Sequence, residues 1–534
     1  MTGAEIIDWT SIPNASDHLP WYKNKGLRQL NFMLSIVFMS EFLCGYDGTI
    51  VGGLQALPSW REDLGHPNAS KIGLLNAVSF IVGLIMGPIV SFVSDKYGRK
   101  WPLRFYGYTM VLGTVIGCIA GAVHKGGYGL FVASRAIIGT GLTSFLIGAL
   151  IIMQEATHPR SRAQVAALFD CNWILGSTLG SFVTFGCSYI HSSWSWRIPY
   201  LVQLVPAIYI VVALQFVPET PRWLIAQGRD SEAFAFLVKY HGNGDDTDPL
   251  VLFEYEQMRR TLALENEAKK LTWLEVWRQP GNKHRFGLVS LMTFMPQMNG
   301  SSVISFYYTV VLELVGIKGT ATQTGIGAGI NMWSFLVQIF GVLSLGHFRR
   351  RSMILIVWPL LMLGMALLAA TGAVFAQSGQ TNTRAGIASV VFVWLYSGTS
   401  SYASPLFYSY PAEVLNYSVR GKGMVVWNTV NQVWGAYGAY VHSIALNKIG
   451  WKYYCVFIPI LFGQWVLAYF FMVETKGYTL EEIAIAFEGN AAAVAGVDAS
   501  LQAERYTRYG EKSEESDSKM EEAAVDVQEV NRLA

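Results

Sequence analysis

Long apolar stretches separated by short polar ones dominate this chain of 534 residues. Most stretches contain about 20 mostly apolar residues, the length that an α-helix needs to cross a bilayer. The pattern predicts twelve spanning helices, at 30–53, 71–94, 101–123, 129–153, 163–187, 197–217, 286–312, 322–346, 352–376, 385–410, 421–445 and 453–473. Only 14% of the residues are charged, about half the share in soluble domains. The chain is therefore predicted to be an all-α, multi-pass membrane protein.

The predicted spans fall into two sets of six on either side of a polar stretch. We expect an N-terminal segment at 1–28, a first six-helix half at 29–217, a helical linker at 218–285, a second half at 286–473 and a largely disordered tail at 474–534. Helical spacing of apolar residues predicts amphipathic linker helices at 231–240 and 250–264. The tail is acidic and poor in aromatic residues from about residue 489, which predicts disorder there.

Lysine and arginine are concentrated in the loops after the second, fourth, eighth and tenth spans, and are sparse in the opposite loops. Because short cytoplasmic loops are enriched in these residues, we expect both termini and the linker to be cytoplasmic. The sequon that begins at Asn68 would then lie outside the cell, which makes Asn68 a candidate glycosylation site.

The two halves resemble each other in sequence. The spacing of Glu155 and Arg162 recurs in Glu413 and Arg420, and the segment 216–220 recurs 255 residues later. Two six-helix halves repeated in parallel are the architecture of one large class of transporters, which bind substrate near the midplane between the halves.

Two ionisable residues lie inside predicted spans, Asp47 in the first and Arg135 in the fourth. A carboxylate at membrane depth costs roughly 2.5–3.5 kcal/mol and normally faces a bundle interior or a water-filled cavity. We expect the two side chains to meet, either as a protonation switch beside a substrate cavity or as a structural ion pair. Glu41 is a further acid on another face of the first span, where it is either a second proton site or a paired structural acid.

Charged residues at the ends of four spans suggest a gate on the cytoplasmic face. We expect Glu155 to pair with Arg99 or Arg162, and Glu413 to pair with an arginine of the second half, in bonds that join the two halves. Such pairs would form when the cavity opens outward and break when it opens inward. Ordinary enrichment of cytoplasmic loops in arginine is the alternative explanation. The complete predicted gate comprises Asp95, Arg99, Glu155, Arg162, Arg349, Arg350, Glu413 and Arg420.

Several motifs make the chain resemble the sugar porters of the major facilitator superfamily. They are Gly45-Tyr46-Asp47, Asp95-Lys96-Tyr97-Gly98-Arg99-Lys100, Arg135 with Gly139 and Gly141, the segment 155–162, Pro218-Glu219-Thr220-Pro221-Arg222-Trp223-Leu224, and Glu474-Thr475-Lys476-Gly477. The segment 228–245 further resembles the fungal lactose permease and cellodextrin transporter branch. That resemblance implies a fungal plasma-membrane protein that moves mono- or disaccharides.

The resemblance also implies roles for individual residues. In proton-coupled members the aspartate of the first helix accepts the proton and the arginine of the fourth tunes it, which are the places of Asp47 and Arg135. Ser302 stands where many hexose porters have asparagine, and Tyr408 replaces the usual tryptophan. These smaller side chains would leave room for a ligand larger than glucose. For any one of these polar residues, an interhelical hydrogen bond is the alternative. The implied sugar contacts are Asp170, Gln297, Ser302, Asn331, Tyr408 and Asn431.

We therefore expect an alternating-access importer whose partners are a sugar, protons and the lipid bilayer, and we expect it to be a monomer. We expect no enzyme activity, no cofactor, no metal site and no nucleic-acid partner, since no phosphate loop, ligand cluster, nucleophile constellation or basic patch is evident in the sequence. Three alternatives remain open: an uncoupled sugar facilitator, a transporter of a non-sugar metabolite and a sugar sensor that signals through its tail.

Overall fold

The computed structural model describes residues 14, 21–123, 126–269, 272–379, 381–415, 419–476 and 487, which form α-helices and turns without any β-strand. The helices of the first half are α1 Lys25–Leu54, α2 Pro58–Asp63, α3 Ala69–Tyr97, α4 Lys100–Ala120, α5 Gly127–Ala156, α6 Arg162–Cys187, α7 Trp194–Val202 and α8 Leu204–Ala213. The linker contains α9 Pro221–Ala226, α10 Asp230–Tyr240, α11 Pro249–Lys269 and α12 Trp273–Arg278. The second half contains α13 Pro280–Gln297, α14 Ser301–Leu314, α15 Thr320–Leu345, α16 Arg350–Gln377, α17 Thr383–Ala403, α18 Leu406–Val414, α19 Arg420–Ile449 and α20 Lys452–Phe471.

The predicted all-α fold is confirmed, but three predicted spans are each made of two helices. The seventh breaks at Gly300, whose φ of +93° is a conformation that glycine adopts readily and other residues rarely do. The tenth breaks just before Leu406, where Pro405 begins the second piece, and the sixth breaks at Gln203. The disorder predicted from about residue 489 lies outside the described residues. Of the predicted tail segment 474–534, the structure describes only residues 474–476 and 487.

Eight stretches among the described helices are long and apolar enough to cross a membrane. The predicted spans outside this set are those at 163–187, 286–312, 385–410 and 421–445. Those at 163–187, 286–312 and 385–410 contribute much of the polar lining of the central cavity described below, which lowers their mean hydropathy. Helices of this kind are shielded from lipid by their neighbours, so they tolerate polar side chains within the bilayer.

Each half has its own apolar core. In the first, the ring of Phe131 contacts those of Trp60, Trp196 and Tyr200, with centroids 5.4–6.2 Å apart. In the second, a separate cluster is built around residues such as Trp358. Because lipid tails are as apolar as these side chains, close packing rather than removal from water holds the helices together.

The halves meet along three helix pairs, α3 with α19, α6 with α15 and α1 with α14. Small residues permit this approach. A Cβ at Gly73 would lie 2.9 Å from the carbonyl oxygen of Tyr440, and one at Gly52 would lie 2.8 Å from that of Ser305. Side chains at these positions would push the halves apart.

The linker helices predicted at 231–240 and 250–264 are observed as α10 and α11, and they pack on the first half. Phe236, Leu237 and Val251 are part of its apolar core. His241 lies 2.7 Å from Glu254 through Nδ1, and its Nε2 is 3.3 Å from the carbonyl oxygen of Ala156 at the end of α5. The end of the bundle that the linker covers is called the linker side below.

Acid should loosen this docked linker through His158. The His158 ring is buried 5.2 Å from that of His241, and burial, followed by repulsion from His241, lowers the pKa of His158 to about 4. When the linker undocks, the pKa returns towards 6.5, so the undocked state binds more protons between these values. Docking therefore weakens as pH falls from about 6.5 to 4, by up to about 3 kcal/mol.

Hydrogen exchange of α10 and α11 at pH 7.0 and 5.0, corrected with an unstructured peptide, checks this expectation. The His158→Asn variant retains an acceptor for the backbone N–H of Arg160, which His158 Nδ1 binds at 3.4 Å. We expect faster exchange at pH 5.0 in the natural protein and a smaller pH effect in the variant. Equal pH effects in the two proteins would contradict the assignment to His158.

Candidate functional site

A polar cavity lies between the two halves. Its empty volume is about 860 Å³, part of it open to solvent. None of the side chains that line it is charged at neutral pH; they include the amides of Asn331 and Gln338 and the rings of Trp173, Tyr308 and Phe407. Its hydroxyl groups come from Thr49, Ser177, Ser301, Ser305, Ser334, Ser397, Ser400, Ser401, Ser404 and Tyr308. Such a lining can exchange hydrogen bonds with a neutral ligand rich in hydroxyl groups and offer aromatic faces to its rings.

Asn331 is the only one of the six predicted sugar contacts among the residues that define this cavity. Its Nδ2 donates to Ser181 Oγ at 2.6 Å, and its backbone carbonyl accepts from Thr178 Oγ1 at 3.2 Å. Both partners lie on α6 of the other half. Asn331 therefore ties the two halves together at the wall of the cavity.

Gln297, Asn431 and Ser302 are brought together beside the cavity. Gln297 Nε2 donates to Asn431 Oδ1 at 2.9 Å, and Gln297 follows Pro296, which lines the cavity. The hydroxyl of Ser302 lies 3.2 Å from the carbonyl oxygen of Gln297 and 3.0 Å from Nε2 of His442 on α19. Ser302 is thus engaged in the interhelical hydrogen bonding that was its alternative role.

Asp170 and Tyr408 lie at the part of the interface nearer the linker side. Asp170 Oδ2 accepts from Gln338 Nε2 at 2.8 Å, which joins α6 to α15. The Tyr408 side chain is 46% exposed, its ring is 5.6 Å from that of Trp427, and it interacts electrostatically with both Asp170 and Glu41.

Asp47 and Arg135 meet as the sequence predicts. Arg135 Nη1 donates to Asp47 Oδ1 at 2.6 Å, and both side chains are buried. Within the described residues, Asp47 Oδ2 and Arg135 Nε have no hydrogen-bond partner. A single bond therefore holds the charges, and protonation of Asp47 would remove the attraction that maintains it. Thr49 lines the cavity and follows Asp47 by two residues on α1, so the ion pair lies near a residue of the cavity wall.

The predicted gate residues form two matching networks, but the prediction that they bridge the halves is wrong for the pairs described. Arg99 Nε lies 3.5 Å from Glu155 Oε1 within the first half, and Arg350 Nη2 lies 3.2 Å from Glu413 Oε1 within the second. In each half a threonine donates to the same glutamate at 2.5 Å, Thr220 to Glu155 and Thr475 to Glu413. Each arginine–glutamate pair joins two helices within one half. Each threonine belongs to the segment that follows the last span of the same half, so its bond fixes that segment to the helix ends.

The other predicted gate residues have different surroundings. Asp95, in the last turn of α3, lies 2.5 Å from Arg99, the N-cap residue of α4, and Arg162 lies 3.9 Å from Glu254 of the linker rather than beside Glu155. Arg349 is the N-cap residue of α16, and Arg420 donates to the carbonyl oxygen of Leu415 at 3.4 Å.

Two glutamates of these networks were missed as site residues. Glu219 Oε2 accepts from the backbone N–H groups of Arg99 and Lys100 at 3.0 and 3.4 Å. Glu474 accepts equivalently from Arg350 and Arg351 at 2.9 and 3.1 Å. The repeat of segment 216–220 at 471–475 contains both glutamates, so it was the signal that pointed to them.

The side opposite the linker is closed by bonds between the halves. Arg61 Nη2 lies 3.0 Å from Glu313 Oε1, Gln55 Nε2 donates to the carbonyl oxygen of Phe306 at 3.1 Å, and Asn76 Nδ2 donates to the Tyr307 hydroxyl at 3.0 Å. Asn68 is exposed on this side, where it caps α3. The sequence gives no signal for the Arg61–Glu313 pair, because the two residues meet only when the halves pack.

Two six-helix halves that enclose a polar cavity define a membrane transporter of the major facilitator fold. Residues 32–487 match the family described as "Sugar (and other) transporter", and the chain belongs to that family. The prediction that it is not an enzyme is thereby confirmed.

Individual relatives agree with this family membership. An MFS glucose transporter of Aspergillus flavus is 26% identical over 518 residues, covering 90% of this chain and 94% of that protein. A hexose transporter of Saccharomyces cerevisiae is 25% identical over 472 residues, covering 84% and 80%. The inward-open structure of the xylose transporter XylE from E. coli shares the fold, with a TM-score of 0.68 and 19% identity, covering 85% of this chain and 99% of that one.

Proposed function

We propose that this protein imports a sugar across the plasma membrane by alternating access, driven by protons that move inward. One observation carries the proposal: an uncharged, hydroxyl-lined cavity lies between the halves, and α1, which lines it through Thr49, also carries Asp47 of the buried Asp47–Arg135 pair. The hexose and glucose transporters among its relatives support a sugar as the substrate.

The ion pair suggests how a proton would be coupled to the movement of the halves. With Asp47 ionised, its carboxylate holds Arg135. A proton on Asp47 removes that attraction and frees both helices to shift relative to each other. Binding of sugar across the two halves would then favour closure around it. The linker side is the cytoplasmic side in this proposal, because the arginine-rich loops lie there.

A di- or monosaccharide is the proposed substrate, as in the fungal lactose permease and cellodextrin transporter branch. The empty volume of about 860 Å³ includes space open to solvent, so the polar lining of the cavity rather than its size supports a sugar. Because the lining side chains carry no positive charge, the cavity offers an anionic metabolite no charged partner. This favours a sugar over an acid of the quinate type. We also propose that the protein acts as a monomer and that Asn68 is glycosylated.

Uptake by purified protein in liposomes tests the proposal. Labelled glucose, galactose, lactose and cellobiose are supplied one at a time with an inward proton gradient. We expect accumulation of at least one of them above its external concentration. Equilibration without accumulation would make the protein a facilitator. Absence of uptake of any sugar would overturn sugar transport and favour the metabolite or sensor alternatives.

Asn331→Ala should weaken sugar uptake mainly through KM. Loss of one neutral hydrogen bond is worth about 0.5–1.5 kcal/mol, so KM should rise roughly 2- to 12-fold. Asn447→Ala is the matched control, because Asn447 is exposed and its Nδ2 donates to the carbonyl of Ser443 on its own helix at 3.0 Å. If the two variants have the same KM as the natural protein, Asn331 makes no contact with the sugar.

A further inference from the structure

Glu41 is a second acid in α1 that the Asp47–Arg135 pair does not use. Its side chain is only 6% exposed, and its Oε2 has no hydrogen-bond partner among the described residues. Six residues separate it from Asp47, which places the two carboxyl groups on different faces of the helix. A buried carboxylate with an unpartnered oxygen is costly, so this group needs a proton or a cation.

Among the described residues, the groups that interact with Glu41 supply no positive charge. Asp170 of α6 interacts with it electrostatically, as do Cys44 of its own helix, Tyr106 of α4 and Tyr408 of α18. The nearest described ion pair on α1 is that of Asp47, whose Arg135 is already engaged. Glu41 and the half-buried Asp170 lie on helices that pack against each other, α1 and α6. Two interacting acids without a cation beside them repel each other when both are ionised, so they titrate as a coupled pair.

Asp170 connects this acid pair to the other half of the protein. Gln338 of α15 donates to Asp170 Oδ2 at 2.8 Å, and the same Nε2 lies 3.4 Å from the Asp170 carbonyl oxygen. Gln338 is itself buried and lines the central cavity. The carboxylate form of Asp170 is the better acceptor for this bond, so the position of a shared proton affects a contact between the halves.

We propose that Glu41 and Asp170 form a second proton-binding site, in which the pair holds one proton and Glu41 is its main carrier. The Asp170–Gln338 bond ties this site to the α6–α15 interface. The proposal deepens the proposed proton-coupled function and rests on it for its role in transport, whereas binding of the proton itself can be measured without transport.

Infrared spectra of the purified protein in detergent test the proposal through the carboxyl C=O band of protonated acids. We expect a band at neutral pH that shifts in deuterated water and disappears in Glu41→Gln, because Asp170 then ionises on its bond to Gln338. In Asp170→Asn the band should persist, since Glu41 remains buried without a cation. Glu62→Gln, a change at an exposed acid, should leave the band unchanged.

Each result decides between explanations. A band that is absent from the natural protein, or that is unchanged in Glu41→Gln, overturns the proposal. A band that vanishes on addition of sodium or potassium chloride identifies a cation site instead and also overturns it. The Asp47→Asn variant should keep the band while losing proton-driven accumulation, so failure of the proposed function and failure of this inference are distinguishable. If Glu41→Gln does not fold, Glu41→Met takes its place and should lose the band in the same way, whereas a folded Glu41→Met protein that keeps the band overturns the proposal.

Discussion

Replacement of Asp47 by asparagine should abolish proton-driven accumulation and leave sugar exchange intact. Asparagine has nearly the shape of a protonated aspartic acid but cannot gain or lose a proton. With a pH gradient of one unit, one coupled proton supports about tenfold accumulation of a neutral sugar. We expect the variant to stop at equal concentrations on both sides of the liposome membrane, whereas counterflow exchange remains within a few-fold of the natural rate.

The change also leaves the buried Arg135 charge without its partner, so stability must be measured beside transport. Breaking a buried pair on one side typically costs about 3–5 kcal/mol, whereas removing both charges costs less. The melting temperature of Asp47→Asn should therefore fall below that of the double variant Asp47→Asn with Arg135→Gln. Asp246→Asn, in an exposed loop, is the control for both assays. Accumulation that persists in a folded Asp47→Asn variant would remove Asp47 from the coupling.

The helical architecture could be predicted because a bilayer imposes a minimum length on each apolar stretch. The internal breaks could not be predicted in the same way. The predicted span at 286–312 contains the polar stretch Asn299-Gly300-Ser301, and a continuous helix that lines a cavity would show the same pattern as a broken one. A Cβ at this position would lie 2.2 Å from the side chain of Met365. The φ of +93° at Gly300 and its contact with Met365 are features of the folded chain, which the local pattern does not contain.

Site residues, too, are predictable where the local sequence limits their partners and are missed where the folded chain selects the partner. Asp47 and Arg135 were predictable as partners because an intramembrane charge needs compensation and few candidates exist. On the linker side, by contrast, many arginines compete for Glu155 and Glu413. The fold selects Arg99 and Arg350, which lie at the starts of α4 and α16 in the same half as their glutamate. Glu219 was hidden for another reason, since it binds backbone N–H groups that any sequence would present.

Gly45→Ala should prevent correct packing of α1 against α6. A Cβ at Gly45 would lie 1.8 Å from the carbonyl oxygen of Trp173, and one at Gly176 would lie 1.9 Å from that of Phe42. Backbone atoms cannot yield by a change of rotamer, so the two helices would have to separate. Ordinary overpacking costs about 1–3 kcal/mol, and a backbone clash on this scale should exceed that range. We expect little or no monodisperse protein from Gly45→Ala, or from Gly176→Ala, in fluorescence-detected size-exclusion chromatography.

Gly186→Ala on α6 isolates this effect from the general effect of adding a methyl group to a glycine. No atom lies within 4 Å of the Cβ position at Gly186, and alanine is favoured over glycine inside a helix by about 0.5–1 kcal/mol. Its yield should match or exceed that of the natural protein. Because Asp47 lies two residues beyond Gly45, separation of α1 from α6 would also displace the carboxylate from Arg135. Monodisperse Gly45→Ala protein that still accumulates sugar would therefore contradict both the close contact of α1 with α6 and its role in positioning the ion pair.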